Sequence, residues 1–293
     1  MLVLPHDFEP QAATAQHQYA EQGAAIFSKR LPDAFFIPAL KALAQRVTLL
    51  EKQFLPKSHG NCLDTHDLIQ DDLILDDLIT DLSQRIIRLE SEHPGSQGML
   101  YESVALSPEL LSLASHPQLT EMAQFLLNSD TIGCHPRTLV LMGLPHQTWH
   151  LGHWHQDWHY NRGPFSTVTF YIPLHTVTST NGSLLLALEE HQKGPLPHEN
   201  GNSEQKAIQT KWETLPDNIT SAFGNVMSTE LHRGDILCFN SLTPHSAQVN
   251  QSNQIRFVLN FRYTDLTDPD YLAKGWHDPT PAEIHAQMRR KGP

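Results

Sequence analysis

At 293 residues, 39% hydrophobic and 18% charged, the chain is sized for one large domain or two small ones and can bury a sizeable core. Its formal charge of −12, from 20 basic and 32 acidic residues, excludes an extended phosphate-binding surface, which needs clustered Lys and Arg, but leaves room for a pocket holding one small anion. No run approaches the roughly 18 apolar residues of a membrane span, so neither nucleic acid nor a bilayer is an expected partner.

Met1 to Pro10 has neither the basic nor the apolar region of a secretory signal. Cys62, Cys134 and Cys238 are widely spaced, odd in number and without a CxxC pair. Reduced thiols and a cytoplasmic location are the expectation.

The first third reads mostly helical. Ala24 to Phe27, after Gly23, predicts a short strand. Asp33 is placed to cap a helix through Ala39, Leu40, Leu43, Ala44, Val47 and Leu50, apolar at three- and four-residue spacing. A second helix is predicted over Leu68–Glu90, with Leu73, Leu78, Leu82, Ile86 and Leu89 apolar. The pairs Asp71-Asp72 and Asp76-Asp77 invite comparison with a calcium loop. The glycine and closing bidentate glutamate of such a loop are missing, and a solvated acidic helix face is the better reading. A shorter helix, Pro117 to Leu127, ends near Asn128.

From about residue 137 short β-rich runs alternate with turns: Leu139–Met142, Thr167–Leu174, Ser183–Leu188, Asp235–Asn240 and Arg256–Tyr263. In the second run Val168, Phe170, Ile172 and Leu174 share one face and Thr167, Thr169 and Tyr171 the other, the pattern of a strand with one core face. Repeated short strands predict a double-sheet jelly roll. Lys193 to Asn225, polar and rich in Gly and Pro, reads as a long insertion or lid loop. The chain is therefore taken as a single domain over 1–293. Residues 1–135 form a mainly helical layer that buttresses a β-core at 136–265, and 266–293 form a C-terminal tail.

Five of the 19 histidines fall between His146 and His159. Within them stands His155-Gln156-Asp157. Residues two apart on a strand project to the same face, so one imidazole and one carboxylate can meet a single ion. A third ligand is available in His245, 90 residues on. Two histidines and a carboxylate leave open positions suited to non-haem Fe(II). Arg256, eleven residues after His245, opens the alternating run Arg256-Phe257-Val258-Leu259-Asn260-Phe261. A guanidinium fixed on a strand grips a carboxylate bidentately, so an anionic co-substrate can span metal and Arg256. Several alternatives stand beside this reading. His155 and Asp157 can be a structural hydrogen-bonded pair, His153 can be the ligand by a shift of register, and Arg262 can be the carboxylate anchor. His146 and His150 lack an HExxH zinc pattern.

Four segments resemble, in order, the phytanoyl-CoA dioxygenase family of Fe(II)/2-oxoglutarate-dependent oxygenases. They are Tyr19 to Ile26; Trp154-His155-Gln156-Asp157-Trp158-His159-Tyr160; Phe170 to Leu174 through Asn181-Gly182-Ser183-Leu184 to Glu190-His191-Gln192-Lys193-Gly194; and Gly234-Asp235 through Pro244-His245-Ser246, Asn250 and Arg256. The chain departs from the family at Glu189-Glu190-His191, where Pro-Gly-Ser-His is preferred, and at Ala247, where a small hydroxyl residue is frequent.

The resemblance implies a mainly β fold with α, a cupin-like double-stranded β-helix or jelly-roll core buttressed by N-terminal helices. It implies Fe(II) held by His155, Asp157 and His245. It also implies 2-oxoglutarate held by Arg256 and contacted by Tyr171, O2 as oxidant, and ascorbate as an activator in vitro. The implied reaction is hydroxylation of a small molecule with release of succinate and CO2. Aspartate at 157, where related halogenases have a small residue, favours hydroxylation over halogenation. Trp158 and His159 flank the motif and are candidates for the substrate pocket; Tyr171 can equally be core. The competing functions are a cupin-like hydrolase or isomerase without 2-oxoglutarate and a catalytically silent binding protein. Lys193, Lys206 and Lys211 are the basic residues available in the loop should the substrate carry phosphates.

Overall fold

The computed structural model describes residues 9–55, 75–135, 138–147, 153–161, 163–200 and 213–274. Helix α1 (Glu9–Gln22) leads into strand β1 (Ala24–Phe27), the strand expected after Gly23, and then α2 (Ile37–Phe54) and α3 (Leu75–Glu92). Asp33 does not cap α2. It sits in a 3-10 turn whose Phe35 and Phe36 are buried; Phe36 takes the cap position, and the Asp33 carboxylate pairs with Arg233 (Nε–Oδ1 2.9 Å). Asp76, in the first turn of α3, pairs with the same guanidinium. Asp71, Asp72 and the start of the helix expected over Leu68–Glu90 lie outside the described residues, as does Cys62.

Helices α4 (Ser96–Ala105), α5 (Pro108–Ala114) and α6 (Pro117–Leu127) follow. The start of α5 is set by the Ser107 hydroxyl, which accepts from Leu110 N at 3.2 Å, with Pro108 in the first turn where its missing N–H costs nothing. Asn128 ends α6 in the left-handed region at φ 50°. No helix among the described residues is long and apolar enough to cross a membrane.

The strands come next: β2 (Ile132–Cys134), β3 (Leu139–Gly143), then short helix α7 (Asp157–Asn161), β4 (Thr167–Pro173) and β5 (Leu184–Ala187). The stretch read as one long loop contains a two-residue ladder of β6 (Glu199–Asn200) and β7 (Glu213–Thr214), then α8 (Asp217–Thr220); Lys206 and Lys211 lie outside the described residues. The chain continues with β8 (Val226–Ser228), β9 (Ile236–Asn240), β10 (His245–Ala247), β11 (Arg256–Asp265) and α9 (Pro269–Lys274).

Among the described residues one antiparallel sheet has six strands in the order β1-β9-β4-β11-β2, with β3 also on β11, and a second has three in the order β10-β5-β8. Together they are the two sheets of a jelly roll that does not close into a barrel. The helices pack on the outer face of the large sheet, where Val168, Phe170 and Ile172 of β4 and Phe257, Leu259, Phe261 and Tyr263 of β11 join the helical core. Tyr263 locks the layers together by donating its hydroxyl to Ala114 O at 2.8 Å.

Between the sheets a second apolar cluster joins Tyr171, Leu237, Phe239 and Val258 to Leu184 and Leu186 of β5. Strand β4 is consequently buried on both faces, not on the one expected, because helices cover one side and the small sheet the other. Strand β11 alternates in the same way. Its odd positions face the helices, and its even positions Arg256, Val258, Asn260 and Arg262 face the gap between the sheets.

Candidate metal centre

His155 and His245 meet at an isolated antiparallel bridge. The expectation that His155, Gln156 and Asp157 lie along one strand does not hold: the chain turns immediately after His155, and Asp157 opens α7. Gln156 anchors that turn. Its buried amide donates to Gly194 O (3.0 Å) and Leu242 O (2.7 Å) and accepts from Leu196 N (2.8 Å). One ligand atom from each of His155, Asp157 and His245 can be chosen so that all lie within 4.8 Å of one another. The two imidazole centroids are 4.2 Å apart, and His245 Nε2 is 3.9 Å from Asp157 Oδ1.

Each imidazole is oriented by the carbonyl two residues before it: Nδ1 of His155 lies 3.0 Å from His153 O, and Nδ1 of His245 lies 3.0 Å from Thr243 O. A carbonyl only accepts, so Nδ1 carries the proton and Nε2 keeps its lone pair for an ion. Burial, and next the neighbouring His245, lowers the His155 pKa to about 3; burial also lowers that of His245.

Burial alone would raise the Asp157 pKa. The Arg262 guanidinium, with His245 behind it, outweighs that and holds the carboxyl well below the usual carboxylate range. Arg262 Nε is 3.0 Å from Oδ2, its Nη2 is 3.0 Å from Oδ1, and Thr169 donates its hydroxyl to Oδ2 at 2.7 Å. Two neutral imidazoles facing one ionised carboxylate is a donor set for a divalent cation that needs no proton released from the imidazoles.

The three residues line a cavity of about 230 Å³. Arg256, only 2% exposed, enters it from β11 between two glycines. A Cβ on Gly143 would come within 2.9 Å of its Nη2, and one on Gly182 within 2.8 Å of its Nη1, which donates to Gly182 O. The two glycines make the slot the guanidinium fills. Arg256 Nε, Tyr171 Oη and Asn260 Oδ1 are buried here without a hydrogen-bond partner among the described residues. Tyr171 of β4 lies across from Asn260 of β11. Burial raises the Tyr171 pKa despite the nearby Arg256, so its hydroxyl keeps its proton and can donate.

Trp158 and His159 do not line this cavity. Trp158 donates Nε1–H to Gly163 O at 2.9 Å, and His159 pairs with Glu213 (Nε2–Oε2 2.6 Å) while stacking on His198. Tyr160 and Asn161, the next residues, do line it, as does His153. Arg262, the alternative anchor, has its guanidinium committed to Asp157. His146 sits in a turn at φ 57°, and His150 lies outside the described residues. Sequence reasoning missed Gln156, Thr169 and Asn260. For Asn260 the available signal was its place on the same face of the alternating run as Arg256.

Solved structures that share the fold include the following two. The epimerase SnoN, in complex with Fe3+, alpha ketoglutarate and nogalamycin RO, matches with a TM-score of 0.52 at 14% identity over 92% of this chain and 93% of its own. EctD from S. alaskensis, with 2-oxoglutarate and 5-hydroxyectoine, matches with a TM-score of 0.52 at 15% identity over 91% of this chain and 80% of its own. No curated protein matches the sequence. The profile described as Phytanoyl-CoA dioxygenase (PhyH) matches residues 31–258, which hold His155, Asp157, His245 and Arg256, and the chain therefore belongs to the phytanoyl-CoA dioxygenase family.

Proposed function

We propose that the chain is an Fe(II)- and 2-oxoglutarate-dependent dioxygenase that hydroxylates a small molecule, acting as one domain in the cytoplasm. The observation that carries this reading is the pairing of two features in one cavity: a His-Asp-His cluster with free Nε2 lone pairs, and a buried guanidinium whose Nε has no partner among the described residues. His155, Asp157 and His245 would hold the iron. Arg256 would receive the far carboxylate of 2-oxoglutarate, and the Tyr171 hydroxyl is a second donor for it.

Iron with 2-oxoglutarate and O2 supplies the oxidising chemistry, yielding succinate and CO2. The protein's own part is positional. Nδ1–H contacts to His153 O and Thr243 O fix the imidazoles. Arg262 keeps Asp157 ionised. The glycine slot at Gly143 and Gly182 keeps Arg256 from turning away. Leu184 and Phe239 line the cavity beside these groups and limit water. Of the structural neighbours, SnoN holds Fe3+ with alpha ketoglutarate and EctD holds 2-oxoglutarate, which supports the same pair of ligands here.

The substrate would enter past His153, Tyr160 and Asn161. A hydrolase or isomerase that uses the metal alone leaves Arg256 and Tyr171 without an anionic partner, which counts against it. The test is conversion of 2-oxoglutarate to succinate with consumption of O2 by purified protein, with and without Fe(II) and ascorbate. Turnover that requires Fe(II) and is lost in His155→Ala is the expected result. Absence of any iron-dependent turnover and of 2-oxoglutarate binding would overturn the reading.

A further inference from the structure

We propose that Arg262 is a positioning residue that, with Thr169, holds Asp157 so that Oδ1 alone is offered to the metal; the inference rests on the metal-centre reading above. Arg262 lies four residues beyond the end of the family match at 258. The carboxylate it grips is 4% exposed, and Arg262 itself is 8% exposed.

The two oxygens of Asp157 are treated unequally. Oδ2 accepts two hydrogen bonds, from Thr169 Oγ1 at 2.7 Å and Arg262 Nε at 3.0 Å, which occupy both in-plane lone pairs. Oδ1 accepts one, from Arg262 Nη2 at 3.0 Å, and faces His245 Nε2 at 3.9 Å. One lone pair therefore remains, on the oxygen that faces His245. A carboxylate free to rotate can take a cation with both oxygens and so occupy a position that a chelating co-substrate needs. The planar fork of Arg262 stops that rotation because both its bonds must be kept in one plane; an ammonium at the same place would fix only one oxygen.

A purely structural ion pair would alter stability without altering how the metal is held. The experiment separates these with Co(II) as the probe, whose visible absorption reports coordination geometry. Wild type, Arg262→Lys and Thr169→Val are compared for folding by circular dichroism, for Co(II) affinity by titration, and for the Co(II) spectrum. Thr169→Val removes one donor at nearly constant volume and carries the test if Arg262→Lys does not fold.

We expect the folded variants to bind Co(II) about 10- to 100-fold more weakly and with shifted absorption bands. Folded variants with wild-type affinity and an unchanged spectrum would overturn the positioning role and leave the metal centre standing. If wild type binds Co(II) no better than His155→Ala, the metal-centre reading fails and this inference with it.

Discussion

His155 and His245 are joined backbone to backbone, each donating its N–H to the other's carbonyl, at 3.0 and 2.9 Å. The bridge that brings the two imidazoles together owes nothing to the imidazoles themselves. His155→Ala and His245→Ala should therefore fold, melting within about 5 °C of wild type, because one buried side chain is lost but the bridge is kept. Each should bind divalent metal at least about 100-fold more weakly, since two donors no longer define the site. Calorimetric metal titration beside a thermal melt checks both halves; wild-type metal affinity in either variant would remove that residue from the ligand set.

Arg256→Ala should leave metal affinity near wild type and weaken 2-oxoglutarate about 100-fold. A fork of charge-assisted hydrogen bonds contributes about 3 kcal/mol, and 1.4 kcal/mol is a factor of ten. Anaerobic titration of the metal-loaded protein with 2-oxoglutarate measures this directly.

The two glycines of the arginine slot should separate in their effects. Gly182 has φ 90°, and a Cβ there meets the Gln248 carbonyl at 2.5 Å, so Gly182→Ala should cost about 2–3 kcal/mol of stability, read from urea unfolding. Gly143 is not in that region, and its Cβ would meet chiefly the Arg256 guanidinium. Gly143→Ala should keep near-native stability and bind 2-oxoglutarate about tenfold more weakly by displacing that group.

The metal-free protein should lose stability as pH falls from about 6.5 toward 4. His198 has its pKa lowered to about 4, by burial and then by the adjacent His159, and that of His155 is lowered to about 3. Over this window the unfolded chain takes up protons at these imidazoles and the folded chain does not, so the equilibrium shifts toward unfolding as acid is added. Urea midpoints across the window, compared with His198→Asn, should show a shallower pH dependence in the variant.

Much of the β-core was legible because alternation survives in the sequence: Ala24–Phe27 was read to the residue, and the runs at 139, 167 and 256 to within two. Helix α4 was not, since its inward face carries Ser96 and Gln97 beside Leu100 and Val104, and Gln97 is buried to reach Met142 O at 2.8 Å. A polar residue on a core face breaks the apolar stripe by which a helix is recognised. At the site, the spacing of His155, Asp157, His245 and Arg256 was visible. Which of the two arginines on one strand face would take the aspartate was not, because that choice depends on where α7 places Asp157 in three dimensions. Asp33 failed as a helix cap for a similar reason: its partner Arg233 is 200 positions away.

The two-residue rhythm of β11 sets a rule for how this segment can change. Sliding the strand by a single position would trade the guanidiniums and the amide for Phe257, Leu259 and Phe261, flooding the chamber with rings and driving bare cations against the helices. Lengthening or shortening is thus tolerable there only in even steps. Odd ones have to be absorbed in the bend at 248–254, before Arg256 enters the sheet.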